Sequence, residues 1–156
     1  MADINAMDKA RSLLEEPGCT FAAASSDQEI TSVERGIRPV LGLITRFGKN
    51  GRGMAGWSVA DKVVGKAPAL LYTMLGPDEI YAGVVTETAA DILKDAGIRL
   101  TYDVMTDKIL RRDGKDLCPM EKTVMSIDDP EEALSAVRIK SEQLMKQRQK
   151  EEQAAL

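Results

Sequence analysis

The sequence predicts one α/β domain built on a mixed β-sheet, and two patterns carry that prediction. Residues 19–25 and 29–33 have strand character and flank a short turn, which predicts an antiparallel hairpin. Farther along, strand, helix and strand patterns follow one another at residues 79–86, 88–96 and 98–104. That order predicts parallel neighbours joined by a right-handed crossover, so the sheet contains both strand directions.

Two helices in the first third of the chain are predicted from periodicity and from their end signals. Residues 4–16 place Ala6 and Ala10 on one helical face, and the pattern ends before Pro17. Residues 39–47 begin with a proline and are followed by a glycine, which is the usual order of helix start and stop signals.

A longer helix is predicted over residues 59–75, after the glycine-rich and flexible stretch 48–56. Ser58 stands three residues ahead of Asp61, which is the pattern of an N-terminal cap. Pro68 falls inside this helix, so we expect either a kink or two short abutting helices.

The C-terminal third is predicted to hold a small hairpin at residues 108–115 and a short helix from Pro119. The last helix begins after Asp129, an acidic cap that is followed by a proline. We expect the compact domain to comprise residues 1–145. Residues 146–156 lose apolar anchors and are expected to form a polar helical tail that frays or projects into solvent.

The composition is that of an ordinary globular protein, with 44% hydrophobic and 29% charged residues in 156. A formal net charge of −4 argues against general nucleic-acid binding, which needs clustered cations. No stretch approaches the roughly 20 apolar residues that span a bilayer, and the N-terminus lacks a signal-peptide core. We therefore expect a cytoplasmic protein without a membrane partner.

The chain contains no histidine, and its two cysteines, Cys19 and Cys118, stand far apart. This excludes a Ser-His-Asp triad, a Cys-His dyad and every zinc site that uses histidine. The absence of a CxxC pair excludes a cysteine-rich structural zinc site as well.

Three separated segments, WSVADKVVGKAPALL, IYAGVVTETAADILKDAGI and LCPMEKTV, resemble a small bacterial family of domains of unknown function. The resemblance covers residues 13–137 approximately. It implies a cytidine-deaminase-like fold, that is, a three-layer α-β-α sandwich around the mixed sheet.

The same resemblance implies a fold without its zinc site. Zinc deaminases carry H/C-x-E at the start of one helix and P-C-x-x-C at the start of the next. By fold analogy, the residues at these places are Asp61, Lys62, Gly65 and Lys66, followed by Ala89 and Ile92. Zinc-dependent deamination is therefore not carried over, and no cofactor is implied.

Lys62 and Lys66 are candidate anion ligands because they lie four residues apart, within the first turns of the predicted helix 59–75. Asp61 would accompany them, and Arg35 would add a charge from the hairpin side. The alternative interpretation is a set of solvated surface charges, with one lysine paired to a neighbouring carboxylate.

Cys118 and Glu121 are the candidate catalytic residues. Cys118 precedes a helix that begins with proline, where the helix dipole favours a thiolate, and Glu121 would act as acid, base or ligand contact. The alternative interpretation is a helix cap and a packed small side chain.

Three functions remain open from the sequence. The first is a binding module for a small anionic metabolite or nucleotide in the ancestral pocket. The second is a metal-independent enzyme with Cys118 as nucleophile. The third is a structural protein that forms homo-oligomers through sheet edges or the C-terminal helix.

Overall fold

Six helices and five strands make up the computed structural model, which describes residues 4–111 and 113–155. The helices are α1 (Ile4–Leu14), α2 (Arg38–Phe47), α3 (Lys66–Leu75), α4 (Glu87–Asp95), α5 (Pro119–Thr123) and α6 (Pro130–Ala154). The strands are β1 (Phe21–Ala24), β2 (Glu29–Ser32), β3 (Ser58–Val64), β4 (Glu79–Thr86) and β5 (Arg99–Thr106).

The five strands form one mixed sheet in the order β2-β1-β3-β4-β5. β1 pairs antiparallel with both β2 and β3, whereas β3, β4 and β5 run parallel. α3 and α4 are the crossovers between the parallel strands. The predicted hairpin, the predicted crossover and the mixed sheet are thus confirmed.

Two hydrophobic clusters lie on opposite faces of the sheet. α1 covers one face, where Ala6, Met7 and Ala10 pack against residues of β1 and β3. The larger cluster lies on the other face and collects the buried side chains of α2, α3, α4, α5 and α6. The arrangement agrees with a three-layer sandwich in which one layer consists of a single helix.

The predicted helix over residues 59–75 is wrong in its first half. The segment Ser58–Val64 is β3, in the middle of the sheet, and α3 begins only at Lys66. β3 gains backbone partners from both β1 and β4, and this tertiary pairing overrides the weak local helix signals. Ser58 therefore starts a strand instead of capping a helix.

The corrected boundary also removes the expected kink. Pro68 occupies the first turn of α3, where its missing N–H group has no helical partner to lose. Lys62 and Lys66 do not share a helical face, because Lys62 lies on β3 and Lys66 is the first residue of α3.

The C-terminal elements follow the prediction more closely. α5 begins at Pro119, and α6 begins at Pro130 behind the cap Asp129, whose carboxylate accepts the Glu132 N–H. The predicted hairpin at 108–115 is reduced to one bridge between Leu110 and Leu117, and Arg112 lies outside the described residues.

α6 extends to Ala154, and the side chains of residues 146–155 are exposed to solvent. The tail is thus a projecting helical extension. Among the described residues, no helix combines the length and the apolar character that crossing a membrane requires.

Candidate functional site

The side chain of Glu121, a residue of α5, places its carboxylate at the N-terminus of α3. Its two carboxylate oxygens accept hydrogen bonds from the backbone nitrogens of Lys66, at 2.6 Å, and Ala67, at 2.9 Å. These N–H groups have no partner within the helix, and the helix dipole adds to their attraction for a negative charge. A side chain from α5 therefore fills the position that an external anion would take on α3.

Lys66 is engaged in the same junction. Its ammonium group donates to the Met125 carbonyl at 3.2 Å and pairs with Asp128 at 3.0 Å. The side chain is only 14% exposed. Lys66 thus ties α3 to the connection between α5 and α6, and its charge is already balanced within the chain.

Cys118 is the N-cap residue of α5 and is half-buried, with its side chain packed against the larger core cluster. Its backbone nitrogen donates to the Ile109 carbonyl at 2.9 Å. Cys118 and Glu121 therefore share one short helix, but the carboxylate is committed to α3.

Asp61 lies beneath α3 on the face of the sheet that carries the larger core. Its Oδ2 atom accepts a hydrogen bond of 2.7 Å from the hydroxyl of Tyr72, which is fully buried. Burial raises the pKa of Asp61 from 3.8 to about 6, and the Tyr72 hydrogen bond opposes part of that rise. The pKa of Tyr72 is also raised, mainly by burial.

Lys62 points to the opposite face of the sheet, toward the α1 layer. There it lines an open cavity of about 410 Å³ together with Arg11, Glu15, Tyr81 and Asp103, which we call the α1 cavity. The Arg11 guanidinium stacks 4.0 Å from the centre of the Tyr81 ring, and the Tyr81 hydroxyl donates to Asp103. Two cations and two carboxylates balance each other in this cavity.

Arg35 lies exposed in the connection between β2 and α2, beside an ion pair between Glu34 and Arg38. The six predicted site residues therefore do not meet in one place. Lys66 and Glu121 are in direct contact, and Cys118 belongs to the same helix as Glu121. Asp61, Lys62 and Arg35 lie in three other surroundings. Among the described residues, no group of three or more Cys, Asp or Glu side chains is arranged to hold a metal ion.

A second cavity, which the sequence analysis missed, lies between α6 and the segment that leads into α5. Its volume is about 470 Å³, and we call it the α5–α6 cavity. Its lining consists of Arg111, Asp116, Leu117, Pro119, Lys122, Thr123, Lys140, Leu144 and Gln147. Three cations thus face one carboxylate over an apolar surface.

The three cations of the α5–α6 cavity differ in whether they already form ion pairs. Lys122, on α5, pairs with Asp116 at 2.5 Å, and Arg111 pairs with Asp113 at 3.1 Å, so both carboxylate partners belong to the exposed loop ahead of α5. The hydrogen bond from Lys122 lowers the pKa of Asp116. Within the described part of the chain, Lys140 forms no ion pair.

One sequence signal pointed to this cavity. Lys140, Leu144 and Gln147 stand at positions i, i+4 and i+7, so they share one face of the predicted last helix. Nothing in the local sequence shows that the segment around Arg111 and Lys122 folds back onto that face, since this depends on tertiary packing.

Comparison with known proteins gives a family and no activity. A family model described as "TM1506: Domain of unknown function (DUF1893)" matches residues 9–140. A crystal structure of a DUF1893 family protein (TM1506) from Thermotoga maritima has a TM-score of 0.80 and 33% sequence identity, over 90% of this chain and 92% of that chain. No curated protein matches the sequence. The chain belongs to the TM1506 (DUF1893) family of domains of unknown function.

Proposed function

We propose that this protein binds a small anionic metabolite in the α5–α6 cavity. The observation that carries the proposal is the charge of the lining, in which Arg111, Lys122 and Lys140 face the single carboxylate of Asp116. A volume of about 470 Å³ lies within the usual range of small-molecule sites.

Lys140 is the residue best placed to hold the anionic group. It is half-buried on α6, and in the described part of the chain it has no carboxylate partner. Lys122 and Arg111 are paired with exposed loop carboxylates, and exposed pairs of this kind contribute about 0 to 1 kcal/mol. A phosphate or carboxylate can therefore draw both cations from these pairs at small cost.

The apolar part of the lining favours a ligand that has an apolar surface as well as an anionic group. Leu117 and Pro119 come from the α5 side and Leu144 from α6, while Gln147 supplies an amide that both donates and accepts. A nucleoside monophosphate matches this combination, because its base can pack on the apolar surface while its phosphate meets the cations.

The site that the sequence suggested, around Lys66, is less suited to this ligand. There the Glu121 carboxylate already takes the two free backbone N–H groups of α3, and Asp128 balances the lysine. An anionic metabolite would have to displace both carboxylates. The α5–α6 cavity requires no such exchange at Lys140.

We also infer that the fold is of the cytidine-deaminase type without zinc. The order of helices and strands, with a hairpin ahead of three parallel strands, supports the inference. The first turn of α3 offers Lys66, Ala67 and Pro68, and that of α4 offers Glu87 to Ala90. Neither turn contains a histidine or a cysteine, the usual ligands of the deaminase zinc.

Titration calorimetry at low ionic strength tests the proposal, with adenosine monophosphate, inorganic phosphate and adenosine as probes. We expect the monophosphate to bind more tightly than either part alone, and binding to weaken as salt is added. Lys140→Ala should weaken binding by about tenfold, the equivalent of 1.4 kcal/mol.

Lys150→Ala is the matched control, since Lys150 is an exposed lysine on the same helix outside the cavity. It should leave the affinity unchanged. Absence of heat with all three probes at millimolar concentration contradicts the proposal, and so does an equal effect of the two lysine substitutions.

A further inference from the structure

β5 is an edge strand with little cover. It lies at one end of the sheet, and six of its eight residues are exposed to solvent, while Leu100 and Thr106 are half-buried. Tyr102 is 45%, Val104 54% and Met105 39% exposed, so apolar side chains are concentrated on this strand. An edge strand also carries a row of unpaired backbone N–H and C=O groups.

On the α1 face, this exposure follows from the position of α1, which packs against β1 and β3 and leaves the far half of that face bare. Tyr102 and Val104 are exposed on the opposite face, which they share with Leu100. A long, exposed edge strand with apolar side chains is a template for pairing with another strand.

We propose that β5 pairs antiparallel with β5 of a second copy of this chain, about a two-fold axis through Thr101. In this register Arg99 faces the partner's Asp103, and symmetry repeats that ion pair on the other side of the axis. On the other face of the sheet, Leu100 faces the partner's Tyr102, also twice. Thr101 meets the partner's Thr101, a favourable pair in sheets.

Neighbouring registers match less well. With Asp103 on the axis, two carboxylates would face each other directly, which is destabilising. With Tyr102 on the axis, Arg99 would face an apolar side chain, the partner's Met105. The register centred on Thr101 pairs opposite charges with each other and apolar side chains with each other.

The two charged residues are available for this contact. Arg99 is 57% exposed at its side chain and holds only a loose pair, at 3.6 Å, with Glu79 on the neighbouring strand. Asp103 is exposed and accepts the Tyr81 hydroxyl through Oδ2, which leaves Oδ1 for a partner. Both side chains lie on the α1 face, because side chains alternate between the two faces of a strand and these residues are four positions apart.

Charge reversal tests the register by sedimentation equilibrium. We expect the unmodified protein to be a dimer at micromolar concentration. Arg99→Asp alone and Asp103→Arg alone should each weaken the dimer at least tenfold, because each creates two like-charge contacts. The double variant R99D/D103R restores opposite charges and should recover most of the affinity.

Glu79→Gln is the control for the existing ion pair of Arg99 and should not reduce dimerisation. A monomeric unmodified protein contradicts the proposal, and so does a double variant that dimerises no better than the single ones. A dimer that is indifferent to β5 and is lost when α6 is shortened would assign the interface to α6 and would also overturn it.

Disulfide trapping gives a second measurement that does not depend on charge. Cα atoms that face each other in an antiparallel pair lie about 4.5 to 5.5 Å apart, which is within disulfide range. Thr101→Cys should therefore give a covalent dimer under mild oxidation, above the background from Cys19 and Cys118. In Val104→Cys the two thiols would lie about 20 Å apart, at roughly 3.4 Å per residue. Equal cross-linking of the two variants refutes the register.

Discussion

The carboxylate of Glu121 accepts hydrogen bonds from the backbone nitrogens of Lys66 and Ala67, although 55 and 54 residues separate them in sequence. The contact joins the short helix α5 to the start of α3. It gives α3 the cap that its own N-cap residue, Gly65, has no side chain to supply. A long-range side chain thus does the work that serine or aspartate performs locally in most helices.

We expect Glu121→Ala to lower the free energy of unfolding by about 1 to 3 kcal/mol, because it leaves two N–H groups without a charged acceptor. Glu121→Gln keeps one acceptor oxygen and should lose less. Urea unfolding at neutral pH measures both. Glu142→Ala, at an exposed position on α6, is the control, and a similar loss in all three variants contradicts the capping role.

Gly65→Ala should destabilise the protein through the same contact. A Cβ atom at position 65 would overlap the Glu121 carboxylate, and the backbone of Gly65 has φ of −97°, so the cost comes from that overlap and not from strain. In a double-mutant cycle, the loss from Gly65→Ala should shrink when Glu121 is already alanine. Strict additivity would show that the two positions act separately.

Most elements were predictable because their signals are local. The hairpin, α1, α2, β4, α4 and the starts of α5 and α6 each carry a turn, a proline or a periodic apolar face in the sequence. β3 was not predictable in this way. The spacing of Ser58 and Asp61 matches the sequence pattern of a helix N-cap. The segment nevertheless forms a strand, because β1 and β4 pair with it on both sides.

The candidate site depended more on tertiary structure than the fold did. The pairing of Lys62 with Lys66 rested on a helix that begins seven residues later than predicted, at Lys66 rather than residue 59. Glu121 was predicted as a catalytic residue or as a local helix cap, whereas the N–H groups that its carboxylate accepts belong to another helix. No local spacing encodes such a contact, nor the approach of Lys122 to α6.

Asp61 predicts a specific pH dependence. Burial raises its pKa to about 6 in the folded protein, whereas the ordinary value is 3.8. Between these values the folded state holds a proton that the unfolded chain releases, so stability falls as pH rises, by at most about 3 kcal/mol. Asp61→Asn cannot ionise and still accepts the Tyr72 hydroxyl.

We therefore expect the stability of Asp61→Asn relative to the unmodified protein to rise between pH 4 and pH 7. Urea titrations at both pH values give the difference directly, and other titrating groups cancel in the comparison. Asp8→Asn, at an exposed position on α1, is the control substitution. A constant difference for Asp61→Asn would mean that its carboxyl group keeps an ordinary pKa.

A chain ending at residue 145 should fold with nearly unchanged stability. The side chains of residues 146–155 are exposed, so their removal should change the free energy of unfolding by less than about 0.5 kcal/mol. Leu144→Ala should instead destabilise the protein. Leu144 packs against the larger core cluster, so its truncation should lower the free energy of unfolding by about 2 kcal/mol. Unfolding of the shortened chain would place the tail within the domain.

Gly83→Ala should disturb the centre of the sheet. A Cβ atom at position 83 would lie 2.7 Å from the backbone oxygen of Lys62 on β3, so the two strands would have to move apart. Overpacking of this kind costs about 1 to 3 kcal/mol.

Gly42 gives the matched control, because it lies inside α2 and nothing lies within 4 Å of its Cβ position. Gly42→Ala should stabilise the helix by about 0.5 to 1 kcal/mol, so thermal unfolding of the two variants should shift in opposite directions. A shift in the same direction would contradict the close approach of β3 and β4 at Gly83.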